Sequence, residues 1–257
     1  MKRLLLVTLL FCLNCLFVWG QYNIKYEDEV LSSKERANLE KVIDFQLKFY
    51  NNARLDSLIK ASDVKLYIYT DYSAFLLHQK EQMKTTLHRS MGFYSSKNKE
   101  AVVCKDKNET RFMKTCYHEL SHFFTNTYFS KIPIWLNEGL SEYFSEMKVT
   151  AKEVKHIKKD RNIARVKTMI KNRDIDLKNF INWDRQRFYK MSFAHDGYGY
   201  ALGYSIVLFL MEQHKDMVPD YMGKMASEKD SAITFDQLYG GGFGQFEKDF
   251  LSYISKQ

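Results

Sequence analysis

Two short motifs dictate most of what this chain can fold into: His118-Glu119-Leu120-Ser121-His122, and Asn137-Glu138-Gly139-Leu140-Ser141-Glu142-Tyr143, with fifteen residues between His122 and Glu138. Residues four apart on a helix project from one face, so a helix through the first motif presents both imidazoles to a single cation with Glu119 beside them. A second helix through the later motif puts Glu138 and Glu142 on a common face. Any fold that uses both motifs must pack these two helices side by side.

The chemistry follows from residue type. A hydrolytic zinc ion takes three protein ligands and keeps a fourth position for water, whose pKa falls to about 7. His118, His122 and Glu138 are the candidate ligands for one Zn2+. Glu119 is the candidate general base, taking the proton of the attacking water and handing it to the leaving amine. Glu142, one turn beyond Glu138, is expected to orient an imidazole, because a metal-bound histidine almost always donates its second N–H to a carboxylate or carbonyl. Two surface histidines on a helix would need none of the second motif.

Local patterning supports both helices. Phe112, Met113, Cys116, Leu120, Phe123 and Phe124 recur at three- and four-residue spacing, predicting a helix from Glu109 to about Tyr128 with Asp106 or Asn108 as its cap. Ile132 to Leu136 leads into the second helix, with Leu140, Tyr143, Phe144 and Met147 on its buried side.

HELSH followed by WLNEGLSEYF resembles the gluzincin metallopeptidases, especially the branch containing aminopeptidase N and bacterial peptidase-like domains. The resemblance implies the same ligands, base and orienting acid. It also implies an α+β fold: a mostly helical zincin-like catalytic domain with a small N-terminal mixed or antiparallel sheet packed on the zinc helix. The aminopeptidase pattern places about eighteen residues before its ligand glutamate, so the interhelical loop here is shorter. Tyr198-Gly199-Tyr200-Ala201-Leu202-Gly203-Tyr204 is similar to the aminopeptidase segment whose tyrosine stabilises the oxyanion, and Tyr200 fits that position. Tyr198 and His195 are alternatives for that duty. No Gly-x-Met-Glu-Asn stretch, which aminopeptidases use to hold a free amino terminus, precedes the zinc helix, so the resemblance favours an endopeptidase. In this family the run Lys99 to Cys104 would be the edge strand bordering the cleft, able to pair with an extended peptide.

The amino terminus supplies a setting. Lys2-Arg3 precedes the apolar stretch Leu4 to Trp19, and Val18-Trp19-Gly20 offers a cleavage site before Gln21, so residues 1–20 read as a signal peptide of a secreted or periplasmic protein. The apolar stretch is shorter than the roughly twenty residues that span a bilayer, which disfavours an uncleaved anchor and stable membrane insertion. Cys15 leaves lipidation as an alternative, although small residues do not precede it. Cleavage leaves 37 basic and 31 acidic residues, a net charge of +6, with Cys104 and Cys116 as the remaining thiols. Two cysteines in an exported chain suggest a disulfide; a pair of small buried hydrophobes is the alternative.

Residues 21–257 are enough for one peptidase domain, with a sheet-containing lobe over about 21–128 and a helical lobe over about 129–257. Patterning predicts helices at 33–51, 73–88, 151–171, 200–214, 219–227 and 243–254, strands at 64–69, 92–94 and 101–104, and a helix–helix turn at 240–244. The basic run from Lys148 to Lys178 could attract acidic peptides or anionic lipid, although such runs are more often solvated helix faces. No nucleic-acid motif is present. The sequence thus points to a zinc peptidase acting on peptides or proteins; the alternative is a catalytically inactive relative serving as a binding or envelope-assembly module.

Overall fold

A computed structural model describes residues 22–26, 31–53, 58–84, 90–129, 131–225, 228 and 230–257. The expected signal peptide lies outside them. The first described elements are β1 (Asn23–Tyr26), α1 (Ser33–Asn52), a short 3-10 turn (Ala61–Asp63) and β2 (Lys65–Tyr69). Ser32 starts α1 with a reciprocal capping box, its hydroxyl accepting from the Glu35 N–H while Glu35 accepts from the Ser32 N–H. Next come α2 (Tyr72–Met83), β3 (Gly92–Ser95), β4 (Glu100–Cys104), α3 (Glu109–Tyr128) and α4 (Ile134–Ser145). The remainder comprises the hairpin β5 (Met147–Val149) and β6 (Val154–His156), then α5 (Asp160–Asn172), α6 (Leu177–Phe180), α7 (Arg185–Ala194), α8 (Tyr198–Gln213), α9 (Met217–Lys224), α10 (Ser231–Leu238) and α11 (Gly242–Lys256). The architecture is α+β and mostly helical, as expected.

The main sheet is mixed, in the order β1-β2-β4-β3, with β4 parallel to β2 and antiparallel to β3. This corrects the expected edge: Glu100–Cys104 is an interior strand, and β3 forms the border. All five β4 residues are buried, the pattern of a strand covered on both faces. Ala101 and Val103 join the main core with Phe112 and Cys116 of α3, while Val102 and Cys104 face the opposite side with Phe75 and Phe93. That alternation separates the two cysteines. Both are free and buried, so the alternative of two small core residues is what the fold adopts and the disulfide is not formed.

A second correction concerns 151–171. Its first part is the β5–β6 hairpin, closed by Thr150, whose N–H donates to the Glu153 carbonyl and whose hydroxyl accepts from the Glu153 N–H. The helix begins only at Asp160. His156 on β6 stacks on Tyr143 of α4 with ring centroids 4.1 Å apart, a partner that local patterning cannot see.

α4 and α8 cross very closely. A Cβ on Gly139 would stand 2.5 Å from the Gly203 carbonyl oxygen, and one on Gly203 would stand 2.7 Å from the Trp135 carbonyl oxygen. Only glycine at both positions lets the two backbones approach so near. The helix–helix turn expected at 240–244 is shorter: it ends at Gly241, and Gly242 already begins α11, with Gly241 and Gly242 at φ +87° and +71°. Among the described residues, no helix is long and apolar enough to cross a membrane.

Candidate metal centre

α3 carries His118, Glu119 and His122, and it is a rigid platform. Asn108 caps it by accepting the Arg111 N–H at 2.9 Å, while Asp106, two residues earlier, accepts the Asn108 N–H and the Arg111 guanidinium. Of the two expected caps, Asn108 is the one used. Its Phe112, Cys116, Leu120, Phe123 and Phe124 are buried, which fixes the helix's rotation and turns the histidines toward α4.

Glu138 on α4 meets them. Its Oε2 lies 3.4 Å from His122 Nε2 and 3.7 Å from His118 Nε2, and one donor atom from each residue falls within a 4.8 Å group. Zinc bonds of about 2.0–2.1 Å in tetrahedral geometry separate neighbouring donors by about 3.3 Å, so this set fits such an ion with little adjustment. Two neutral imidazoles and a carboxylate are also the donor chemistry that zinc accepts.

The electrostatics are those of a tightly coupled cluster. Burial opposes charge on Glu138, but the neighbouring imidazoles and a tyrosine hydroxyl more than offset it and hold its carboxyl down at about 2. Burial likewise disfavours the His122 imidazolium, yet Glu138 outweighs this and raises its pKa to about 9. Desolvation, reinforced by His122, lowers His118 to about 4. Without a metal, these opposite shifts favour an added proton on His122 over His118.

Each donor is steered from behind. His122 Nδ1 lies 3.0 Å from Asn137 Oδ1, which also accepts from Thr125 Oγ1 at 2.6 Å, and 3.1 Å from the Ser141 hydroxyl. An N–H on Nδ1 leaves Nε2 free for a cation. His118 Nδ1 faces Glu142 Oε1 at 3.6 Å, so Glu142 lies beside the imidazole it is expected to orient, at a distance longer than a hydrogen bond. Glu142 is itself held by Lys159 Nζ at 2.6 Å. Glu138 Oε1 accepts a 2.6 Å hydrogen bond from the Tyr189 hydroxyl, which leaves Oε2 for the imidazoles. Neither Asn137 nor Tyr189 was expected in these roles. Asn137 stands inside the second motif, whereas nothing in the sequence around Tyr189 marks it.

Glu119 is buried against the border strand. A Cβ on Gly92 would lie 2.5 Å from Glu119 Cγ, so β3 can pass this close only with glycine there. Burial raises the Glu119 carboxyl to about 7, with His122 pulling it down and Glu138 pushing it up. A carboxyl titrating near neutrality suits proton exchange.

Of the three residues considered for the oxyanion, only Tyr200 belongs to this cluster. Its ring lies 6.5 Å from that of Tyr189, its phenol feels Glu138, Glu142 and Glu119, and its hydroxyl makes no hydrogen bond to a described residue. Tyr198, two residues along α8, points elsewhere: it donates to the Asp174 carbonyl and stacks on Trp183. With His195 it lines a separate cavity of about 520 Å³.

Residues 113–231 match a family model described as a protein of unknown function (DUF1570), a stretch that encloses every residue of this cluster. No curated protein matches the chain.

Proposed function

We propose that this chain is an exported zinc metallopeptidase, cutting internal peptide bonds in peptides or proteins. The observation that carries the reading is the convergence of His118 Nε2, His122 Nε2 and Glu138 Oε2 with Glu119 alongside. The gluzincin resemblance of HELSH and WLNEGLSEYF supports it, as does the absence of an aminopeptidase-type Gly-x-Met-Glu-Asn segment. Export rests on the apolar stretch behind Lys2-Arg3.

His118, His122 and Glu138 would hold one zinc ion, which supplies, when bound, acidification of a water and polarisation of the scissile carbonyl. The protein's own groups do the remaining work. Glu119 takes the proton of the attacking water, and its elevated pKa lets it return that proton to the departing nitrogen. Tyr200, whose hydroxyl is otherwise uncommitted, donates to the oxyanion that develops on the carbonyl. The outer edge of β3, which adjoins Glu119 through Gly92, would pair with the extended substrate backbone beyond Gly92, whose own N–H and carbonyl are bonded to the Ser90 hydroxyl.

The test is peptide cleavage by zinc-loaded protein and by its Glu119→Gln variant. The expected result is cleavage within an unbiased peptide mixture by the parent, and loss of turnover by at least about 10²-fold in a variant that keeps its metal. Equal rates would remove Glu119 as base. A zinc-loaded parent that cleaves nothing in a diverse library would overturn the enzymatic reading in favour of a binding module.

A further inference from the structure

A cavity of about 290 Å³ opens onto His118 and Glu119, and most of the residues that line it are polar or charged. The start of β3 forms one side and the first turns of α3 the other, with the end of α4 and Lys159 closing it. Charged groups are prominent: Arg111, Lys114 and Lys159 against Glu119, Glu142 and Glu146. The two signs are not equally available. Glu142 and Glu146 side chains are 15% and 8% exposed and already committed, Glu142 to Lys159 at 2.6 Å and Glu146 to Lys114 at 2.5 Å and Lys159 at 3.5 Å. The cations stand outward, with Lys114 43% and Arg111 68% exposed; Arg111 is paired with the buried Asp106 through Nε and one terminal nitrogen and Lys114 with Glu146, but each keeps further N–H donors on its exposed side.

An incoming carboxylate can therefore accept from the spare donors of Lys114 and Arg111 while Asp106, Glu142 and Glu146 all keep their present partners. An incoming ammonium would have to displace a lysine from a buried acid, leaving like charges crowded together. A large apolar side chain would strip water from these cations without replacing its hydrogen bonds. Of the three, the anion is the least penalised, because it alone meets exposed donors without breaking an existing pair.

Resting on the peptidase reading above, we propose that this cavity is the specificity pocket for a carboxylate next to the scissile bond, with Lys114 and Arg111 as the selecting residues. The carboxylate is either an acidic side chain or the free carboxy terminus of a short product-side segment. Lys159 is a positioning residue here, because it holds Glu142 against His118.

The experiment uses zinc-loaded protein and matched peptides carrying Glu, Gln, Lys or Leu at each position flanking the cleaved bond, each made with a free or amidated carboxy terminus. At one position Glu is expected to exceed Gln in kcat/KM by about five- to tenfold, the range for a partly exposed charge-assisted contact. The effect following the terminal acid rather than the side chain would identify the carboxy terminus as the group read. In the double variant Lys114→Gln, Arg111→Gln the Glu-to-Gln ratio should fall to near one, and Lys114→Arg should preserve it. A ratio near one in the parent, or one that persists in the double variant, overturns the proposal.

Equilibrium binding of the Glu and Gln peptides, followed by fluorescence anisotropy, gives a readout independent of turnover. Absent cleavage with a retained, Lys114-dependent binding preference would sink the peptidase reading alone. Equal binding with cleavage intact would sink the pocket assignment alone.

Discussion

Tyr189→Phe isolates one contact at the candidate metal centre. The phenyl ring remains packed against Phe188 and Tyr200, at centroid distances of 5.7 and 6.5 Å, so only the hydroxyl is lost. That hydroxyl gives a 2.6 Å hydrogen bond to Oε1 of a buried carboxylate. Hydrogen bonds to charged groups contribute about 1.5–3 kcal/mol, and groups that orient a metal ligand typically change affinity by 10–100-fold. Glu138 is ionised with or without metal, because His122 neutralises it in the metal-free state. Much of the lost energy is therefore common to both states and appears as stability, leaving the orientational part for zinc.

The expected outcome is a loss of about 1–2 kcal/mol in denaturant unfolding of the metal-free protein, together with zinc binding weakened about tenfold in chelator competition. Unfolding free energy and zinc affinity both matching the parent would refute the assignment of Tyr189 as the group that aims Glu138. A stability loss with unchanged zinc affinity would make the contact a purely structural one.

Three further outcomes follow from the same geometry. Tyr200→Phe should leave zinc affinity unchanged, since its hydroxyl bonds to no ligand, while lowering turnover by about 10²–10³-fold; equal loss of both would show that the phenol supports the metal instead. Gly139→Ala requires α4 and α8 to part by about 0.8 Å from the 2.5 Å contact with the Gly203 carbonyl, costing about 1–3 kcal/mol in urea unfolding. An unchanged unfolding midpoint would contradict that close crossing. Zinc uptake near pH 7 should release about one proton from His122, whose metal-free pKa is raised to about 9, plus a fraction from Glu119 near 7, seen as buffer-dependent heats in calorimetry. Because the His122 pKa is raised on folding, its contribution to metal-free stability is complete below about 6.5 and fades as pH rises through about 9. Heats independent of buffer would contradict the protonated imidazole.

The elements that carry the centre were legible because their signals are local. α3 runs from Glu109 to Tyr128 as its apolar spacing indicates, and the HExxH step alone puts two histidines on one face. The convergence of Glu138 on them needed only that α4 pack alongside. Choosing among Tyr198, Tyr200 and His195 was beyond sequence: two positions on a helix differ by about 200° in direction, and only the packing of α8 on α4 reveals which faces Glu138. The hairpin at Met147–His156 eluded patterning because its strands are three residues each and His156 is held by Tyr143. The family resemblance implies an edge at β4, yet the apolar run Ala101-Val102-Val103-Cys104 suits a strand with neighbours on both sides, and its unbroken burial bears that out. Tyr189 reaches Glu138 across 51 residues of sequence, and no spacing rule connects them.

The most direct test of the account is metal content measured by equilibrium dialysis against zinc, for the parent and for Glu138→Ala. The account predicts one zinc per chain in the parent and loss of that ion in the variant, with His118 and His122 still present. A parent that takes up no zinc, or a Glu138→Ala variant that retains it with parental affinity, would contradict it.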